Sequence, residues 1–123
     1  MGFEINGIGI VGTRRRNTDF DREVIVDKFI EIYSKGDFII SGGCPQGGDR
    51  FAEYIAKVEG IPILIFYPKT TSSGWKKFKE RNTLVAKFST KALIACVASD
   101  RKGGTEDTIK KYERLHRKKA ILV

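Results

Sequence analysis

Apolar residues fall in five short runs separated by longer amphipathic or polar stretches. Residues 7–12 (GIGIVG), 38–40 (FII), 61–67 (IPILIFY), 92–97 (ALIACV) and 120–123 (AILV) are short, apolar and rich in branched residues, and each reads as a buried strand. Pro62, early in the third run, predicts an edge or strand-start position, because proline cannot donate to a central ladder. The intervening stretches repeat at helical spacing. Val26, Phe29, Ile30 and Tyr33 share one face of a helix that Thr18 is placed to cap; it reaches about Ser34, and Gly36 ends it. A second helix starts near Asp49, turns Ala52, Ile55 and Ala56 inward and stops at Gly60. A third carries Arg81, Leu84, Val85 and Phe88 on one stripe, and a fourth, capped by Thr105, carries Ile109, Tyr112 and Leu115.

Five strands alternating with four helices predict an α/β fold. The expectation is a single Rossmann-like domain over residues 1–123, with a five-stranded parallel sheet in the order 3-2-1-4-5 and helices on both faces. No internal repeat, low-complexity segment or interdomain linker interrupts the pattern. In such sheets ligands bind beyond the carboxyl ends of the strands, where the strand order reverses. That rule brings residues 13–17, 41–49 and 99–105 to one edge, and the loop after the third strand, with Arg81 at its far end, can join them.

The segment 38–49 (FIISGGCPQGGD) is the strongest local signal. A strand runs into four glycines and a proline and then into a helix, the pattern of a phosphate or nucleotide cradle whose backbone N–H groups face an anion. Ordinary turn glycines would give the same letters, so the remaining motifs have to decide.

Charge adds direction. With 23 Lys and Arg against 15 Asp and Glu, the net charge is +8, which favours anionic partners. Arg14, Arg15, Arg16, Lys69, Arg101 and Lys102 fall in loops at the predicted ligand edge. Lys110, Lys111, Arg114, Arg117, Lys118 and Lys119 follow the fourth helix toward its C-terminus, where positive charge suits the helix dipole without any ligand. Two distant cysteines, no secretory leader and no long apolar run predict a soluble cytoplasmic protein with no membrane partner. Cys44 could be read as a nucleophile, but the single histidine, His116, falls at the end of its helix remote from the ligand edge. One histidine and two separated cysteines offer no zinc site. Cys96 reads as a small buried hydrophobe.

The motifs together carry a family resemblance. GIVGTR at residues 9–14, SGGCPQGGDRFAEYIA at 41–56, ERN at 80–82 and GGT at 103–105 resemble, in that order and across the whole chain, the SLOG superfamily. That superfamily contains the DNA-processing protein DprA (Smf), the LOG lysine decarboxylase-like phosphoribohydrolases and the small YspA/YpsA-like proteins; the compact length resembles the YspA-like branch most. The resemblance implies a Rossmann-like fold binding a nucleotide or nucleotide-derived ligand, with no separate cofactor. By position, Gly12, Thr13 and Arg14 line the phosphate side, and Ser41, Gly42, Gly43, Gly47 and Gly48 form a second wall. Asp49 either caps the second helix or accepts hydrogen bonds from a ribose or base. Arg81 and Asn82 match the superfamily's arginine motif, and Gly103, Gly104 and Thr105 present helix amides to a phosphate. A homodimer is a further expectation from the superfamily.

One departure bears on catalysis. In the phosphoribohydrolases the last motif ends in a glutamate needed for N-glycosidic cleavage, and here that position is Thr108. Glu106 and Asp107 precede it, but on a regular helix they point about 200° and 100° away. Nucleotide binding is therefore the leading expectation. One alternative is cleavage of a nucleoside monophosphate, with Arg81 orienting the substrate and Glu106 replacing the missing acid. The other is DprA-like binding of single-stranded DNA, for which Tyr67, Trp75 and Phe78 are the stacking candidates.

Overall fold

The computed structural model describes residues 6–71 and 73–123. Nine elements follow one another as strand and helix: β1 (Gly7–Gly12), α1 (Asp19–Ile32), β2 (Phe38–Ser41), α2 (Gly48–Glu59), β3 (Ile63–Ile65), α3 (Gly74–Phe88), β4 (Ala92–Cys96), α4 (Gly104–His116) and β5 (Ile121–Leu122). The strands pair in parallel throughout, in the order β3-β2-β1-β4-β5. This is the α/β, Rossmann-like sheet that the apolar runs predict. β3 is shorter than its seven-residue apolar run and lies at the edge, where Pro62 places its carbonyl, not a missing donor, against the Ile39 N–H.

Helices cover both faces of the sheet. α1 and α2 pack Ile25, Phe29, Phe51 and Ile55 onto Ile8, Ile10, Ile39 and Ile94; α3 and α4 pack Val85, Ile109 and Tyr112 onto Val11, Ile40 and Leu93. The alternation of side chains along buried strands supplies both cores from the same residues in turn. The two helical layers differ in charge. α1 and α2 together carry eight acids and four bases, whereas α3 and α4 carry eight bases and four acids.

Local signals account for most helix boundaries. Thr18 caps α1 in a complete capping box: its hydroxyl accepts the Asp21 N–H at 3.2 Å, and the Asp21 carboxylate accepts the Thr18 N–H at 3.1 Å. Gly60 ends α2 in the left-handed conformation. Three expectations are corrected. On α1, Phe29 is buried and Val26 and Tyr33 pack against the core as the stripe predicts, but Ile25 joins them and Ile30 is left 64% exposed. Leu115 and Phe88, in the last turns of their helices, are also exposed, although the Phe88 ring keeps a contact with Phe66. Gly103, not Thr105, is the N-cap of α4, so Thr105 belongs to the first helical turn. Among the described residues no helix is long and apolar enough to cross a membrane.

Candidate ligand-binding cleft

β1 and β4 pair as far as Gly12 and Cys96, and beyond them the chain departs in opposite directions, toward β2 on one side and β5 on the other. A cleft of ≈ 660 Å³ opens there, at the reversal of strand order where parallel sheets hold ligands. Five segments meet in it: Val11 to Arg15 at the end of β1, Gly42 to Pro45 after β2, Pro68 after β3, one side of α3, and Lys102 to Thr105 with Thr108 at the start of α4.

The glycine loop is not an open anion nest. Asp49, 8% exposed in the first turn of α2, turns back on the loop. Its Oδ1 accepts the Gly42 N–H at 3.3 Å and its Oδ2 the Cys44 N–H at 3.0 Å. The Gly43 N–H donates to the Ser41 hydroxyl and the Gly47 N–H to Asn17 Oδ1. Four amides that the sequence offers to a phosphate are thus occupied by the protein itself. Asp49 makes no N-cap bond to its helix, which corrects the capping expectation. Burial pushes its carboxyl above the usual range, against the Cys44 amide, Arg81 and the Gly42 amide, which hold it down.

The glycines divide by role. Gly42 must lack a side chain because a Cβ there would stand 2.7 Å from Arg81 Nη1 and 3.0 Å from Asp49 Oδ2. Gly48 does its work behind the cleft: a Cβ would collide with the backbone of Val11 and Gly12, so its absence lets α2 press directly onto β1. Gly47 and Ser41 are likewise buried and do not line the cleft; Gly12, Gly42, Gly43, Gly103 and Gly104 do.

Arg81 lines the cleft as the apolar stripe of α3 predicts, and it is held firmly. Its Nη1 donates to the Gly42 carbonyl at 2.6 Å, its Nε donates to Asn82 Oδ1 at 2.9 Å, and Asp49 Oδ2 lies 4.0 Å away. Asn82, buried beside it, donates to Asp107 Oδ2 at 3.1 Å, and Lys111 donates to the same oxygen. A continuous chain of polar contacts therefore joins the glycine loop, α3 and the first turns of α4. Such a network fixes the walls relative to one another.

The basic residues separate in the same way. Arg15 donates to both oxygens of Asp100 and to the Lys102 carbonyl, tying the β1 and β4 exit loops together. Arg16 bonds Asp21 and the Val97 and Val123 carbonyls. Arg101 pairs with Glu106 at 2.8 Å. Arg14 and Lys102 line the cleft, and no ion pair engages either side chain among the described residues. Lys69 does not line it. At α4 no side chain caps the helix, and Gly103, Gly104 and Thr105 line the cleft, so the positive end of the helix dipole opens into it.

Glu106 points to Arg101 and is not a cleft residue; Thr108 is, and is buried. Among the described residues that line the cleft, Asp49 is the sole acid. Cys44 lines the cleft as a free thiol, while His116 Nε2 lies 2.8 Å from the Ala86 carbonyl, so the two are not a pair. Cys96 is fully buried, and burial raises its thiol pKa. Among the described residues no group of three His, Cys, Asp or Glu is placed to hold a metal ion. Trp75 and Phe78 complete the wall formed by α3. The motifs do not assign them to the site; the signal available was their i, i+3 spacing ahead of Arg81, which puts all three near one face of the helix. Tyr67 packs over Gly43, is largely exposed and does not line the cleft.

No family model, curated protein or solved structure matches this chain significantly.

Proposed function

We propose that the chain binds a nucleotide or nucleotide-derived anion in the cleft at the carboxyl edge of its sheet. The observation that carries this reading is the union, in one cleft, of two cations that no ion pair engages among the described residues, Arg14 and Lys102, with the N-terminus of α4, which no described side chain caps, and an aromatic wall. The cations and the helix end favour phosphate, and the aromatic wall favours a base. The SLOG-like order of motifs points the same way, with one change of emphasis. The phosphate-facing amides are those of α4, because Asp49 already occupies those of the glycine loop.

Binding is favoured over hydrolysis of a nucleoside monophosphate. General acid or base work on the glycosidic bond calls for a carboxylate with an oxygen turned to the substrate. Both oxygens of Asp49 accept backbone amides, and Glu106 is held by Arg101.

The test is a panel of nucleoside mono-, di- and triphosphates screened by thermal shift and calorimetry. A ligand that binds only the folded chain raises its melting temperature in proportion to RT ln(1 + [L]/Kd). The double variant Arg14→Ala/Lys102→Ala removes two exposed side chains that make no ion pair among the described residues, so its unliganded stability should equal that of the wild type while the ligand-dependent shift is lost. A wild type that no member of the panel stabilises would overturn the reading.

A further inference from the structure

We propose that Trp75 is the platform on which the ligand's base stacks, so that the cleft selects anions bearing a planar aromatic ring over bare sugar phosphates. This rests on the ligand-binding reading of the same cleft and specifies what that ligand carries.

Trp75 is the one tryptophan in the chain, and it is 47% exposed in the first turn of α3. A side chain of that size normally contributes far more burial than this to a fold. Yet its position is defined. The indole lines the cleft, and its six-membered ring passes over α4, so that a Cβ added to Gly104 would stand 3.4 Å from Trp75 Cη2. Its ring centroid is 6.0 Å from that of Phe78, at an interplanar angle of 38°. Phe78 in turn carries the Arg81 guanidinium 5.7 Å from its centroid, and Arg81 is locked to Gly42. The indole is thus braced by Phe78 and touches α4 at one edge, while about half of its surface remains accessible.

The same contact places the ring beside the anion-attracting end of the cleft, because Gly104 adjoins Gly103 and Lys102. A ligand with its phosphate there has an aromatic surface within reach of whatever the phosphate is attached to. Stacking on an indole accepts any base through its π-face and rewards the larger area of a purine. Among the described residues no acid other than Asp49 lines the cleft, and the two acids in the first turn of α4, Glu106 and Asp107, are paired with Arg101 and Lys111. The opposing role for Trp75 is that of a cover lying over Gly104, which a ligand would have to displace.

The two roles have opposite consequences on mutation. The wild type, Trp75→Ala and Trp75→Leu are titrated by calorimetry with adenosine 5′-monophosphate, cytidine 5′-monophosphate and ribose 5-phosphate, and the wild type is also followed by the fluorescence of its one tryptophan. The adenine nucleotide should quench the wild-type emission, and ribose 5-phosphate should leave it nearly unchanged. Both substitutions should weaken adenosine 5′-monophosphate by about 5- to 150-fold, cytidine 5′-monophosphate by less, and ribose 5-phosphate by less than about twofold, since Trp75 makes no ionic contact. Trp75→Leu keeps an apolar cover without a π-face, so retention of affinity in that variant would overturn stacking. Tighter binding by Trp75→Ala would identify a cover and overturn it as well. If ribose 5-phosphate binds the wild type as tightly as the nucleotide, the anion site stands and the base platform falls. If neither binds, the reading of the cleft itself falls, and the platform with it.

Discussion

At the scale of single residues, two buried aspartates show how context decides what a carboxylate does. Asp21 and Asp49 both accept backbone amides and both face an arginine. For Asp21, burial works upward, but the Thr18 hydroxyl and amide and the Arg16 guanidinium outweigh it and the pKa is lowered. For Asp49, burial dominates and the pKa is raised. The signs of their pH dependence are therefore opposite. Asp21 contributes stability that is fully present above its unfolded value of 3.8 and is lost as pH falls through its lower folded pKa. Asp49 favours the fold most below 3.8, and that contribution is lost as pH rises through its raised pKa. Urea unfolding of Asp21→Asn and Asp49→Asn against wild type across pH 2.5 to 7 checks this. The wild-type advantage over Asp21→Asn should hold from neutrality down to about pH 4 and shrink below it, whereas the advantage over Asp49→Asn should grow as pH falls from neutrality toward 4. Equal slopes in the two comparisons would refute the assignment. At neutral pH, Asp21→Asn should cost about 1–2 kcal/mol through the weakened cap and the lost charge-assisted bond to Arg16. The sequence pattern places Asp49 at a helix start and does not single out Asp21. Thr18 three residues ahead of Asp21 is a local cap signal, while the amides that meet Asp49 come from a loop whose curvature is set by Gly43 in the left-handed conformation.

At the scale of elements, the decisive contact is α2 against β1. Each element was legible from its own pattern, one from a glycine-bounded apolar run, the other from inward Ala52, Ile55 and Ala56. Their closeness was not, because a glycine that admits a ligand and a glycine that admits a neighbouring backbone are the same letter. Gly48 and Gly104 test the distinction, since each opens a helix. Gly48→Ala drives a methyl group into the Val11–Gly12 backbone and should cost about 1–3 kcal/mol or more in chemical unfolding. Gly104→Ala meets only the edge of Trp75 at ordinary contact distance, and its unliganded stability should match or slightly exceed that of wild type. If Gly48→Ala proved neutral, the close approach of α2 to β1 would not be what requires glycine there. The exposure of Ile30 has the same origin: helical spacing gives the width of an apolar stripe on α1, and only packing against its neighbours decides which margin of it is covered.

At the scale of the whole molecule, topology was the most legible feature. Alternating strands and helices, with right-handed crossovers, leave few orders for five parallel strands, and β3-β2-β1-β4-β5 is the one that puts Pro62 near an edge. That order places the cleft between β1 and β4, so much of the site followed from the fold before any motif was weighed. Less legible was which charges are free. The loop arginines read alike in sequence, yet Arg15, Arg16 and Arg101 are consumed in joining loops, leaving Arg14 and Lys102. Pairing depends on acids such as Asp100 and Glu106 that reach the edge only through the fold.

The division of charge between the two helical layers gives the protein a handedness toward charged surfaces. The sheet separates a net-negative layer of α1 and α2 from a net-positive layer of α3 and α4, and the molecule is consequently an electric dipole lying across the strands. On an anionic support such as a cation-exchange matrix it will settle with α3 and α4 beneath and α1 and α2 uppermost, in one preferred pose. The cleft is lined from α3 and α4 and carries Arg14 and Lys102, so it belongs to the basic half of the molecule, and adsorption on an anionic support should compete with binding of an anionic ligand.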